Sequence, residues 1–501
     1  MKRDSLTFAR GAIAIAAVVL AVIVVSTVID LSAAGYASGR LNVFDYNSAH
    51  VLVDLTNRGL NQALATAFTV VAIAVPLTAN LYSLKFIEFF VKDRINAAVL
   101  SLVVCSDLVS FWAVYSLKAD YIPYFQIKLD FALLLLCLCV LFPYLLYVFR
   151  FLHPDTLLLR LENEICGAIA AVGRPGAGLR LDRMAHDRRL VAEGIENIAN
   201  IAVRSIERTD RATAISSVVT LERVALAYWA VKGTLPTSWF QTDAGLFQGF
   251  ASETVAELTA NHTWVEMAFF WQLRGIMSAA VPRTHDVADT TARALRHLGL
   301  SEPARADAAV REMVIDYFNT FIRLAIVRRD SHSAFGLFDH YRQYAEALNA
   351  GHPALVLQIA YYFEYYGQVA RDAGLTFLVK AGAHDLGTLV QYAWQTQAPN
   401  RQKLLERFMH YDADDAQPDP GVKKAQAILA SYFLRAGLAE PAELIRRSLA
   451  ALNPLLLAQM EDDLLHIRRE AYWEITERRA HIDYVPDAQR EKLREFFDSL
   501  A

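Results

Sequence analysis

The chain has few of the residues that build metal sites, disulfide frameworks and catalytic centres. Its 501 residues include only four cysteines, and none has the spacing of a zinc site or a secreted disulfide framework. The 13 histidines are scattered, and there is no His-Glu-x-x-His, phosphate-cradling or nucleophile-elbow motif. We therefore expect no catalytic residues, no metal site and no cofactor, and we predict that the protein is not an enzyme.

A dense basic surface is missing as well. Residues 151–501 hold 38 Lys+Arg against 44 Asp+Glu. The nearest basic group, Arg183 with Arg188 and Arg189, is interrupted by Asp187. Because a nucleic-acid partner requires a concentrated positive surface to displace counterions from phosphates, we expect no nucleic-acid partner.

Long apolar stretches are what the sequence does contain. Hydrophobic residues make up 54% of the chain, and four stretches lie at residues 11–31, 62–83, 96–116 and 131–149. Each has about the 20 residues that a helix needs to cross a hydrocarbon core of about 30 Å. The sequence therefore predicts an integral membrane protein with a four-helix transmembrane domain at residues 1–150.

The basic residues around these stretches predict the orientation. Seven Lys or Arg residues lie before the first stretch, between the second and third, or just after the fourth, and only four lie in the other two connections. Since basic residues are enriched on the cytoplasmic side, we expect a multi-pass protein of the inner (plasma) membrane with cytoplasmic N- and C-termini.

One acidic residue, Asp107, lies near the middle of the third stretch, where a charge costs roughly 2.5 to 3.5 kcal/mol on insertion-derived scales. One hypothesis is that Asp107 lines a cation pathway together with residues of the second stretch, namely Thr69, Pro76, Thr78 and Asn80. The alternative is a protonated Asp107 that hydrogen-bonds a neighbouring helix for packing.

Two segments carry a resemblance to a known family. Residues 67–71 (Ala-Phe-Thr-Val-Val) followed by residues 90–96 (Phe-Val-Lys-Asp-Arg-Ile-Asn), and then residues 198–214, resemble bacterial predicted membrane proteins of unknown function. The resemblance implies four N-terminal spans, a helical cytoplasmic region, and an oligomeric channel-like or sensory assembly. The family signature in residues 198–214 usually carries Asn-Asp-Pro, where this chain has Thr209, Asp210 and Arg211. From the residues alone, Asp210 is expected to cap the helix that follows it.

After residue 151 the apolar residues recur at spacings of three and four, which predicts an all-helical region. Ser301 and Pro303 suit the start of a new helix, so we expect a helical cytoplasmic domain at residues 151–300 and helical hairpins at 301–501. The second part resembles an irregular solenoid, and a generic helical bundle is the alternative. The predicted fold class is therefore all-α, partly solenoid-like.

Two functions from different classes fit these features. The leading hypothesis is a homo-oligomeric ion-conducting channel or channel-like assembly in the lipid bilayer, with Asp107 near its polar pathway. The alternative is a membrane-anchored scaffold or sensor whose helical region recruits a cytoplasmic protein partner. Convergence of the polar residues on one axis would favour the channel, and a dry membrane bundle would favour the scaffold.

Overall fold

The structure is a computed structural model that describes residues 2–33, 45–82, 85–173, 181–242, 245–247, 249–412, 418–471, 478 and 481–500, with side chains left out of the description at 2–16 and 181–182. Nearly all of these residues are helical, and the described part of the chain contains no β-strand. The predicted all-α fold class is confirmed.

Contacts divide the chain into two compact units, residues 1–157 and residues 158–501. We call the first the membrane unit and the second the helical unit. The membrane unit contains helices α1 (Lys2–Ala33), α2 (Tyr46–Leu81), α3 (Lys85–Lys92), α4 (Arg94–Ser116) and α5 (Tyr124–Phe151).

The predicted spans all lie on helices of the membrane unit. Helices α2, α4 and α5 are long and apolar enough to cross a membrane, and the segment Ala17–Ser32 of α1 is a shorter apolar helix. Each of these helices begins before its predicted span does. The 36 residues of α2 correspond to about 54 Å at 1.5 Å per residue, so α2 is longer than the hydrocarbon core is thick.

A single residue, Asp93, separates α3 from α4. Its carboxylate accepts hydrogen bonds from the Asn96 N–H at 3.1 Å and from the Tyr147 hydroxyl at 2.8 Å. Since the first N–H groups of a helix have no partner within it, Asp93 acts as the N-cap of α4. On α3, Phe86 and Phe90 are buried against the end of α5. The segment at residues 90–96 that carries the family resemblance therefore marks a break between two helices.

The helical unit is built from α-helices of 5 to 27 residues. After α6 (Pro154–Val172), which crosses the division between the units, they are α7 (Leu181–Glu207), α8 (Arg211–Lys232), α9 (Ser252–Ala260), α10 (Trp264–Ala280), α11 (His285–Leu300), α12 (Glu302–Ala306), α13 (Ala308–Val327), α14 (Ser331–Leu348), α15 (Pro353–Asp372), α16 (Thr376–Gln395), α17 (Arg401–Met409), α18 (Pro420–Arg435), α19 (Ala439–Leu449), α20 (Pro454–His466) and α21 (Asp487–Asp498).

Consecutive helices of this unit pack as hairpins and then against the next pair. Helix α7 packs on α8 and α10, α15 on α16, and α16 on α18, which in turn packs on α21. Helix α11 ends at Leu300, and it packs on α14, which lies after residue 300 in the sequence. Helices from both sides of residue 300 thus share contacts, and the division near residue 300 and the solenoid-like character stay predictions.

Helix α8 also has the length and hydropathy of a membrane span, but its packing differs. Half of the residues in its most apolar 18-residue segment are buried, whereas the corresponding shares are 22%, 33% and 17% for α2, α4 and α5. The buried side chains of α8 include Leu221, Tyr228 and Trp229, and the helix packs on α7 and α11. Because its apolar surface is covered by protein, we interpret α8 as a core helix of the helical unit.

Among the described residues, six helices of this unit end in the same kind of turn. One residue near each helix end has a positive φ, and the next N–H donates to the carbonyl five positions earlier, as Asp210 does to Ser205 at 2.8 Å. The Asp210 carboxylate then accepts from the Thr213 N–H at 3.1 Å, so its predicted capping role is confirmed. The six positive-φ residues are Thr209, His262, Arg329, Gly374, Gln397 and Gly437.

Candidate ion-binding site in the membrane unit

Two buried apolar clusters hold α2, α4 and α5 together, and each draws on all three helices. The first contains Ala49, Val53, Ala113 and Ile127, and the second contains Leu60, Val103, Leu134 and Cys137. From the first cluster to the second, residue numbers rise on α2 and α5 and fall on α4. Helix α4 therefore runs antiparallel to the other two, in a register that these contacts fix.

A chain of polar side chains crosses the bundle between these clusters. Asn61 Nδ2 donates to Asn57 Oδ1 at 3.0 Å, and Asn57 Nδ2 donates to Ser110 Oγ at 3.3 Å. Ser110 Oγ in turn donates to Asp130 Oδ2 at 3.1 Å. Ser110 and Asp130 are at most 1% exposed. The chain thus connects α2 through α4 to a fully buried carboxylate on α5.

Beside this chain lie buried polar atoms that have no hydrogen-bond partner among the described residues. They are Asp107 Oδ1, Gln126 Nε2 and Asp130 Oδ1. Gln126 precedes Asp130 by one helical turn, and Asp107 precedes Ser110 by one turn, so each pair shares a helix face. Asp107 lies close enough to Asp130 for their charges to interact. We call Asn57, Asp107, Ser110, Gln126 and Asp130 the polar cluster.

A further buried carboxylate, Asp30 of α1, has its charge compensated by backbone. Asp30 Oδ1 accepts from the Phe125 N–H at 2.8 Å, and Oδ2 accepts from the Gln126 N–H at 3.2 Å. These N–H groups belong to the first turn of α5, where the helix dipole favours a negative charge. Asp30 therefore joins α1 to the start of α5 and fixes the backbone at Gln126.

The five residues predicted to line a pathway lie at different places in the membrane unit. Asp107 and Thr78 are buried, whereas Thr69, Pro76 and Asn80 are exposed on α2. The register of α2 against α4 places Asp107 near the level of Asn57. Thr69 lies about 18 Å further along α2 at 1.5 Å per residue, and the other three lie further still. The structure thus brings Asp107 together with Ser110 and Asp130, and the pathway role of the α2 residues stays a prediction.

The sequence alone did not reveal Ser110, Gln126 or Asp130 as candidate residues. Asp130 directly precedes the predicted fourth span, a position that is typical of the membrane interface. The structure starts α5 at Tyr124, which places Gln126 and Asp130 inside the helix. A usable signal was the spacing of four between these two polar residues, since it puts them on one helix face.

The polar cluster offers oxygen ligands and negative charge in apolar surroundings. Carboxylate, hydroxyl and amide oxygens are the ligands that hard cations prefer. Among the described residues no group of three or more His, Cys, Asp or Glu could hold a metal ion. Burying an ion costs several kcal/mol, so two carboxylates without a countercharge favour uptake of a proton or a cation. The arrangement fits a single monovalent charge better than a multivalent metal.

The helical unit contains buried ion pairs of a different kind, in which every acid has a basic partner. Asp385 is fully buried and accepts from Arg478 Nη1 at 2.8 Å and from Arg342 Nε at 3.1 Å. Burial alone would raise the pKa of Asp339 beside them, but the charges of Arg478 and Arg342 hold it below its ordinary value. Arg478 thereby binds to both α14 and α16, through Asp339 and Asp385.

A second set of contacts attaches Asp483 to α16. The Asp483 carboxylate contacts Lys380, and Asp483 Oδ1 lies 3.1 Å from His384 Nε2. Burial acts to raise the pKa of Asp483, but the close contact with His384 and the charges of His384 and Lys380 hold it below its ordinary value. Because these charges are compensated within the unit, we interpret them as structural.

The fold and the polar cluster together define an integral membrane protein with a large helical unit. Residues 3–193 match the model of a family described as Predicted membrane protein (DUF2254). The resemblance to predicted membrane proteins of unknown function is thereby confirmed for the membrane unit and the first helices after it. The second segment that carried the resemblance, residues 198–214, lies beyond the match. No curated protein and no solved structure matches the chain.

Proposed function

We propose that the protein is a non-enzymatic inner-membrane protein whose membrane unit conducts a cation. The observation that carries this proposal is the polar cluster, with Asp107 and Asp130 buried among apolar helices. Intramembrane carboxylates are costly and usually mark the path of an ion or a proton. No Lys or Arg of the described residues forms an ion pair with either carboxylate, so a mobile cation is the natural countercharge.

The conducting form is proposed to be a homo-oligomer. Four spans in one chain rarely enclose a water-filled pore, and α2 presents Thr69 and Asn80 on its exposed surface. A second copy of the chain against this surface would place polar groups between subunits. Exposed apolar side chains such as Leu20, Phe111 and Phe142 suit contact with lipid. The distribution of basic residues supports cytoplasmic N- and C-termini.

Ion flux through liposomes that contain the purified protein tests the proposal. We expect flux of monovalent cations from the wild type and a changed rate or selectivity in Asp107→Asn, which keeps the shape of the side chain and removes its ionisable carboxyl group. Asp120→Asn is the matched control, because Asp120 is exposed outside the helices, and it should behave as the wild type. No flux from folded, oligomeric protein across several cations and voltages would contradict conduction.

A second candidate function is a membrane-anchored scaffold or sensor, and one feature of the helical unit favours it. On α15, Tyr361 is 45% exposed, and the Arg407 guanidinium lies 5.4 Å from its ring centroid. Arg323 lies 5.7 Å from the ring centroid of Tyr365 on the same helix. Tyrosine and arginine are enriched in protein interfaces, so this surface suits a cytoplasmic protein partner. The absence of flux would make it the leading candidate.

A further inference from the structure

We propose that the polar cluster is a binding site for one small monovalent cation and that Asp130 supplies its principal ligand oxygen. The inference rests on the proposed conduction and deepens it, because it names the class of ion and the residue that holds it. Both sodium ion and proton satisfy this chemistry, since each is a single positive charge that binds a carboxylate oxygen. The experiment below separates them.

Ser110 holds Asp130 in one orientation. Ser110 Oγ accepts the Asn57 N–H at 3.3 Å and directs its own proton to Asp130 Oδ2 at 3.1 Å. Because Oδ2 is engaged, Oδ1 is the atom left to bind a ligand, and it is buried without a partner among the described residues. Asn57 and Ser110 are therefore positioning residues for the Asp130 carboxylate.

Gln126 lies one helical turn before Asp130 on the same face of α5, and its buried side chain also has a polar atom that is unpaired within the described part of the chain. Its side chain is 1% exposed, and its amide nitrogen has no partner among the described residues. Burying an unpaired amide is costly, and the backbone of Gln126 is held in place by Asp30. A half-rotation of the amide turns its carbonyl oxygen into a neutral ligand on the face that carries Asp130.

The charge balance selects a monovalent ion. Two neighbouring carboxylates in a low-dielectric bundle cannot both stay ionised without a countercharge. With one of the two carboxyl groups protonated, the site carries one negative charge, which one sodium ion or one proton neutralises. Asp30 adds no charge to the site because the start of α5 compensates it. A calcium ion would require six to eight oxygen ligands, whereas three of the seven side-chain oxygens of the polar cluster, those of Asn57 and Ser110 and Oδ2 of Asp130, are engaged in hydrogen bonds.

The test measures binding on the purified full-length protein by thermal unfolding, with NaCl compared with choline chloride at equal ionic strength and with CaCl2 as a divalent probe. Since a ligand that binds only the folded state raises its stability, NaCl should raise the melting temperature of the wild type more than choline chloride does. Asp130→Asn should abolish this shift and Asp120→Asn should retain it. Ser110→Ala, which keeps the carboxylate, should bind sodium several-fold more weakly.

Infrared difference spectra across a pH titration form the second arm. If the proton is the ligand, sodium has no effect, and the wild type shows a carboxylic-acid signal that Asp130→Asn lacks. This second readout covers the case in which Asp130→Asn fails to fold, since Ser110→Ala should then shift the same signal. The proposal is overturned if neither sodium nor protonation depends on Asp130, or if CaCl2 stabilises the protein more than NaCl does.

Binding and conduction can fail separately in these experiments. An Asp130-dependent sodium or proton signal without flux would retain the site and refute the conduit. Flux that is unchanged in Asp130→Asn, together with no binding signal, would retain the conduit and refute the site.

Discussion

At Thr209 the backbone between α7 and α8 has a φ of 61°, a conformation that costs a residue with a Cβ atom roughly 1–2 kcal/mol. Glycine occupies the equivalent position in the turns at Gly374 and Gly437. Threonine is β-branched and therefore poorly suited to it, whereas asparagine tolerates it well.

We predict that Thr209→Asn stabilises the protein by up to about 1 kcal/mol, because the strain of the left-handed conformation is partly relieved. Denaturant unfolding of the purified protein measures the change. Gly437→Ala is the opposite control, since it introduces a Cβ atom at a φ of 74°, and it should destabilise. A Thr209→Asn variant that is less stable than the wild type would show that the turn carries no such strain.

Residue by residue, the sequence predicted those features that depend on local context. Asp210 could be recognised as a cap because capping involves only the next few residues, and Asp107 could be recognised because it lies in mid-span. Asp130 could not, because its burial depends on where α5 starts and on the α4 residue that faces it. Pairing of Asp130 with Ser110 joins residues that sequence periodicity cannot bring together.

Helix α16 comes close to the side chain of Tyr411 at Gly382. A Cβ atom added there would lie 2.5 Å from the Tyr411 hydroxyl oxygen, and Tyr411 is a buried side chain whose hydroxyl donates to the Val379 carbonyl at 3.3 Å. Gly367 on α15 faces the same hydroxyl. The hydroxyl of Tyr411 thus occupies space that only glycine leaves free on both helices of the hairpin.

We predict that Gly382→Ala destabilises the helical unit by about 1–3 kcal/mol, as overpacking of a close-packed core does. Adding Tyr411→Phe should recover part of this loss, because it removes the oxygen atom that clashes. Gly275→Ala on α10 is the control, since nothing lies within 4 Å of an added Cβ there. Equal unfolding midpoints for Gly382→Ala and Gly275→Ala would contradict the contact.

The contacts of Asp483 with α16 predict that the stability of the folded protein depends on pH. Because the pKa of Asp483 is lowered in the folded protein, its contribution to stability is present above the ordinary aspartate pKa of about 4 and is lost as the pH falls below that value. Asp483→Asn should lower the free energy of unfolding at pH 7 by roughly 1–3 kcal/mol. It should also make this free energy change less steeply with pH in acid. Asp487→Asn, at a side chain that is 89% exposed, should do neither.

At the level of helices, the sequence located the apolar stretches correctly, but it did not predict where the helices that contain them begin. The stretch predicted at residues 62–83 covers only the second half of α2, which starts at Tyr46. The polar residues Asn57 and Asn61 lie in the first half of α2, where a hydropathy pattern gives no sign of a buried helix. Both are half-buried, and the contact of Asn57 with Ser110 depends on the packing of α4, so the part of α2 that contributes to the polar cluster was outside the predicted span.

For the whole molecule, the class of protein followed from composition, whereas the site required the structure. Four apolar helices followed by a helical region were expected and are observed. The helical unit was harder to anticipate, because α8 resembles a membrane span in length and hydropathy. Its neighbours α7 and α11 are what make it a core helix, and such packing cannot be inferred from hydropathy alone.

The most direct test of a cation pathway through the polar cluster is the current across a planar bilayer that contains the full-length protein. We predict a current carried by sodium ions or protons and not by choline. We also predict altered selectivity in Asp107→Asn and Asp130→Asn, and wild-type behaviour in Asp120→Asn. A current whose size and selectivity are the same in all four proteins, or no current from folded oligomers, would contradict a cation pathway through the polar cluster.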